Sequence, residues 1–76
     1  MMHGYSQRLI EHNRQADGHL LGVRLGRVCI ERQTPVSAVA REFKVSRQTV
    51  YNWFTGAASP SPAYRALVDA YLAKLS

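Results

Sequence analysis

Apolar residues return at helical intervals through most of this chain, and no stretch alternates apolar and polar positions over the length of a strand. The pattern predicts an all-α fold, a compact bundle of four or five short helices. Its most regular stripe lies near the C-terminus, where Tyr64, Leu67, Val68, Tyr71, Leu72 and Leu75 fall at i, i+3, i+4, i+7, i+8 and i+11 behind an opening Ser61-Pro62. An earlier stripe of Leu21, Leu25 and Val28 predicts a helix over about 19–33 with Arg24, Arg27 and Arg32 on its basic side. Residues 1–18 are more polar, with Leu9-Ile10 as an apolar pair and Ser6 as a candidate cap. They are expected to form either a mobile arm or a short extra helix from about Gln7, attached to a domain spanning 19–76. As an arm, with Arg8 and Arg14, they would add to the affinity for an anionic partner more than to stability.

Between the two stripes the punctuation is dense. Thr34-Pro35 reads as a hydroxyl cap followed by proline at the first helical position, opening a short helix to about Phe43. Ser46 caps another over about 47–55, and Gly56 suits the left-handed residue that ends it. A Gly-Ala-Ala-Ser-Pro-Ser-Pro loop follows. Gly18, Gly22 and Gly26 lie four apart, although a glycine inside a helix costs about 1 kcal/mol relative to alanine. Either another backbone approaches closely there, from the N-terminal segment or a partner chain, or Gly18 precedes the helix and the others are tolerated.

Composition narrows the classes. The 76 residues are 46% hydrophobic and 20% charged, too apolar for a disordered tail, yet no apolar run nears the ~18 residues that span a bilayer. No export signal opens the chain, so the expected location is the cytoplasm, beside the nucleoid of a bacterial host. The lone Cys29 is expected in or near the core. His3, His12 and His19 have no Cys or carboxylate at ligand spacing, so neither a metal nor another cofactor is expected. Net charge is +5, and eight of the ten basic residues are arginine, whose planar fork suits phosphates and guanine edges. Charge alone does not choose between DNA, RNA and an acidic protein surface.

Spacing chooses more sharply. Two short helices crossing steeply need a small residue at the crossing and apolar residues around it. The chain supplies Ala40 amid Val39, Phe43, Val45, Val50 and Trp53, with Ser46 starting the second helix after a short turn. The register of Trp53 with Val50 turns it inward, toward core packing rather than base stacking. This segment, Val39-Ala40-Arg41-Glu42-Phe43-Lys44-Val45-Ser46-Arg47-Gln48-Thr49-Val50-Tyr51-Asn52-Trp53, resembles the helix-turn-helix of Cro and CI-type (lambda-repressor-like) phage and bacterial transcriptional regulators. Leu21-Gly22-Val23-Arg24-Leu25 before it, and Gly56 with the Ser-Pro loop and last helix after it, extend the likeness over about 20–75. There are two departures. Lys44 stands at the turn position usually filled by glycine. Val36 stands where the family often has a phosphate-binding glutamine, so Ser37 or Thr34 would supply that bond.

A major-groove helix would present Arg47, Gln48, Tyr51 and Asn52 to base edges, with Ser46 and Thr49 nearer the backbone. Arg24, Arg27, Arg41 and Lys44, with Thr34 and Ser37, would serve phosphates. The resemblance implies a duplex-DNA-binding regulator acting as a homodimer, with Phe54, Tyr64 and Tyr71 as candidates for the dimer patch. The alternative is a protein-interaction module of the same fold, for which Tyr51 and Phe54 are bulkier than the family norm. No paired carboxylates, nucleophile with a base in reach or phosphate-cradling glycine loop points to an enzyme or a small-molecule substrate.

Overall fold

The computed structural model describes residues 5–75; the expected arm residues 1–4, with His3, and Ser76 lie outside them. The described chain is all-helical: α1 (Gln7–Gln15), α2 (Leu21–Arg32), α3 (Val36–Phe43), α4 (Arg47–Thr55), a 3-10 turn (Pro62–Tyr64) and α5 (Arg65–Leu75). No helix among the described residues is long and apolar enough to cross a membrane.

The helix boundaries follow from local chemistry. Ser46 Oγ accepts the N–H of Thr49 at 3.1 Å and caps α4, as Ser6 Oγ accepts that of Leu9 in α1. Gly56 ends α4 at φ 82°. The start of α3 is shifted from the expected position. Pro35 is the cap residue and makes no side-chain cap bond, so the Thr34 hydroxyl does not cap this helix. At the other ends of α2 and α3 the chain turns through left-handed residues that are not glycine, Gln33 at φ 58° and Lys44 at φ 57°. Each closes a Schellman pair of bonds: Gln33 N–H to Ile30 C=O and Thr34 N–H to Cys29 C=O, then Lys44 N–H to Arg41 C=O and Val45 N–H to Ala40 C=O. These bonds offset a left-handed conformation that costs an L-residue about 1 kcal/mol.

The most closely packed side of α2 is the one with the smallest residues. A Cβ on Gly22 would lie 2.7 Å from the Trp53 carbonyl oxygen, and one on Gly26 would lie 2.8 Å from Phe54 Cγ. Gly22 therefore answers a close approach by the α4 backbone, whereas Gly26 makes room for side chains, Phe54 of α4 and Asn13 of the N-terminal segment, whose Nδ2 would lie 2.7 Å from a Cβ there. The buried face of α2 is Gly22, Val23, Leu25, Gly26 and Cys29, which rotates it from the expected stripe and leaves Leu21 and Val28 half-buried. Val39, Val50, Phe54 and Val68 complete the solvent-free centre.

Of the two forms expected for the N-terminal segment, the extra helix is the one present. Leu9 and Asn13 of α1 are buried, and α1 packs on both α2 and α4. Asn13 is the one buried polar side chain among the described residues. Its Nδ2 donates to the carbonyls of Val23 at 3.2 Å and Phe54 at 2.7 Å. Burial pushes the Cys29 thiol up to about 12 and raises the phenols of Tyr5 and Tyr71.

Candidate nucleic-acid interface

α3 and α4 are joined by Lys44, Val45 and Ser46, and the left-handed Lys44 sets the angle between them. Ala40 is buried in the same core cluster as Val39, Val50 and Trp53, and α3 packs against α4. Trp53 meets Phe43 edge-on, with ring centroids 5.8 Å apart, and packs on Tyr64 at 5.5 Å. Phe43 in turn meets Tyr71 at 5.4 Å. Trp53 is thus a core residue and has no face to offer a base.

With Val50, Trp53 and Phe54 turned inward, the rest of α4 faces outward. Arg47, Gln48 and Tyr51 are exposed and Asn52 is half-buried. Gln48 Nε2 donates to Asn52 Oδ1 at 3.1 Å, one helical turn apart, so the two amides form a linked pair. Ser46 Oγ and Thr49 Oγ1 lie 2.9 Å apart and share a hydrogen bond at the start of the helix. Arg24, Arg41, Lys44 and Arg47 are exposed and make no ion pair among the described residues. Ser37 and Thr34 are half-buried at the head of α3.

Several candidates are placed otherwise than the sequence suggests. Arg27 is committed to α1: its guanidinium donates to the carbonyls of Asn13, Arg14 and Ala16, the last at 2.9 Å. These are the unsatisfied acceptors at a helix C-terminus, where a cation is favoured, so Arg27 holds the fold together instead of standing free for a phosphate. Phe54 is wholly buried, with Tyr5 of the N-terminal segment packed 6.2 Å from its ring. Tyr71 is buried and Tyr64 half-buried in the aromatic cluster. Phe54 and Tyr71 therefore have almost no surface for a dimer patch, and Tyr64 has only part of its own.

Sequence reasoning missed Asn13 and Tyr5. The Tyr5 hydroxyl donates to the Thr34 carbonyl, tying the start of the described chain to the entry of α3. The signal for Asn13 was its place four residues after Leu9, on the inner face of α1. No group of His, Cys, Asp and Glu among the described residues could hold a metal ion. Compared with family models, curated proteins and solved structures, the chain matches none. The functional reading therefore rests on the residues themselves.

Proposed function

We propose that this chain is a sequence-specific duplex-DNA-binding transcriptional regulator of the Cro and CI type, with α4 reading the major groove. The observation that carries this reading is the pair α3 and α4. They are joined by a three-residue turn, pack together around a core that includes the small Ala40, and leave Arg47, Gln48, Tyr51 and Asn52 on the side of α4 away from its buried Val50, Trp53 and Phe54. Arginine matches guanine O6 and N7, and an amide side chain matches adenine N6 and N7. Arg24, Arg41, Lys44, Ser46 and Thr49, with Ser37 and Thr34, are the candidates for phosphates. One reading helix covers few base pairs, so a homodimer is part of the proposal.

Titration of random-sequence duplex tests it. Between about 50 and about 200 mM salt, a head making three or four phosphate contacts loses affinity roughly 40- to 150-fold through counterion competition. Selection from random duplexes then yields a two-fold symmetric site. Absence of any duplex binding at low salt defeats the proposal. The exposed Tyr51 in the middle of the α4 face favours, in that event, a protein-interaction module of the same fold.

A further inference from the structure

Tyr51 of α4 and Leu67 of α5 are the two large hydrophobic side chains that stand exposed among the described residues, and of these only Tyr51, at 38%, belongs to the helix proposed to read DNA. Its neighbours on that side of α4 are polar. Arg47 precedes it by one helical turn and Gln48 by three residues, both exposed, and Gln48 is tied to Asn52 through their side-chain amides. Thr55, one turn further on, directs its hydroxyl back to the main chain, donating to the Tyr51 carbonyl at 2.9 Å. The Tyr51 hydroxyl itself makes no hydrogen bond with the described residues. An aromatic ring is thus set among groups that donate and accept.

Base edges in the major groove present nitrogen and oxygen atoms and one kind of apolar group, the C5-methyl of thymine. Cytosine carries the same group when it is methylated. A ring laid over base nitrogens or oxygens strips them of water and returns no hydrogen bond, which costs free energy. Laid over a methyl group, it buries apolar surface and gains. Arg47, Gln48 and Asn52 have heads for the polar atoms, whereas most of what Tyr51 offers is its ring. We infer that Tyr51 reads the C5-methyl group of a pyrimidine, thymine or methylated cytosine, facing the middle of α4. This rests on the duplex-DNA proposal and adds to it a base contact made without a hydrogen bond. With two rotatable bonds, the side chain gives up little freedom on docking. Burying one methyl group corresponds to a roughly fourfold change in affinity.

The test compares duplexes that differ by that methyl alone, using the whole chain and a site selected from random duplexes. Each thymine is replaced in turn by uracil, and each cytosine by 5-methylcytosine. The parent should lose affinity roughly fourfold at one thymine of a half-site, or gain as much at one cytosine. The first result names thymine as the base read, the second methylated cytosine. Tyr51→Phe keeps the ring and should keep the discrimination, while Tyr51→Ala should bind both members of each pair alike. Circular dichroism should show parental helicity for both variants, and the comparison within the parent needs no variant. A parent that selects no site, or is indifferent to the methyl at every position, overturns the inference. So does a Tyr51→Ala variant that still discriminates, which gives the methyl to another side chain, or a Tyr51→Phe variant that does not, which gives the contact to the hydroxyl. The two proposals fail distinguishably. Duplex binding that ignores the methyl sinks the role of Tyr51 alone, whereas no duplex binding at low salt sinks the DNA reading and leaves Tyr51 to a protein partner.

Discussion

Asn13 of α1 reaches the main-chain carbonyl of Phe54, 41 residues away in α4, with a hydrogen bond of 2.7 Å. The same amide nitrogen also donates to Val23 of α2, so one side chain joins three helices. Asn13→Ala deletes both bonds and leaves a cavity beside Gly26. We expect a loss of about 2 kcal/mol, which lowers the melting temperature by roughly 10 °C in a domain of this size. Removing residues 1–15 should be at least as damaging. A truncated protein that melts like the parent would show that α1 is dispensable, as the arm reading implied.

Gly22→Ala sets two effects against each other. Alanine favours the helix by about 1 kcal/mol, but its Cβ would meet the Trp53 backbone at 2.7 Å, where nothing flexible can yield. Separating α2 from α4 costs about 1–3 kcal/mol, so the variant should be less stable in urea by up to about 2 kcal/mol. A gain in stability would mean that the two helices are not in contact there.

Gln33→Gly and Lys44→Gly should each stabilise the protein by a few tenths to about 1 kcal/mol, because both relieve a left-handed side chain. Duplex binding tells them apart. Lys44→Gly also removes a cation of the proposed interface and should lower the salt slope by about one unit, whereas Gln33→Gly leaves it unchanged. Equal slopes for both variants would remove Lys44 from the phosphate contacts.

Alkali should unfold this protein partly through Cys29. The thiol ionises near 9.0 when unfolded and only at about 12 in the fold. Folded-state stability is therefore complete below pH 9.0 and is lost as pH rises from there toward 12. The slope approaches about 1.4 kcal/mol per pH unit, with the raised phenols of Tyr5 and Tyr71 adding in the same direction at higher pH. Cys29→Ala should start less stable but decline less steeply between about pH 9 and about pH 11. Parallel declines for the two proteins would exclude the thiol as the cause.

Within the α4 face, Gln48→Ala or Asn52→Ala should cost about 1–3 kcal/mol on a selected site and little on random duplex. Because the two amides are hydrogen-bonded to one another, the double variant should cost less than the sum of the singles. Arg41→Ala should weaken all sequences alike. If Gln48→Ala and Asn52→Ala bind selected and random duplex as tightly as the parent, α4 does not read bases.

Much of the fold was legible because its determinants are local. Ser46, Pro62 and Gly56 mark element ends through their own backbone chemistry, and Val39, Ala40, Val50 and Trp53 mark the α3–α4 crossing through spacing. What escaped depends on contacts across long stretches of chain. Periodicity favours large apolar residues, so it named Leu21 and Val28 where the glycine side of α2 is the buried one. It also counted Leu67 into the inner stripe of α5, since adjacent Leu67 and Val68 fit a helical pattern equally well and only packing shows which turns in. Arg27 looked like any basic surface residue because nothing in its neighbourhood reveals that the end of α1 returns to meet it.

The backbone contact at Gly22 bears on how this protein can change over generations. α4 is seated by its inner residues and by the approach of the Trp53 main chain to Gly22 of α2. Arg47, Gln48 and Tyr51 can then be exchanged without altering how the helix is held, so a lineage can retarget the proposed reading surface while inheriting the same mount.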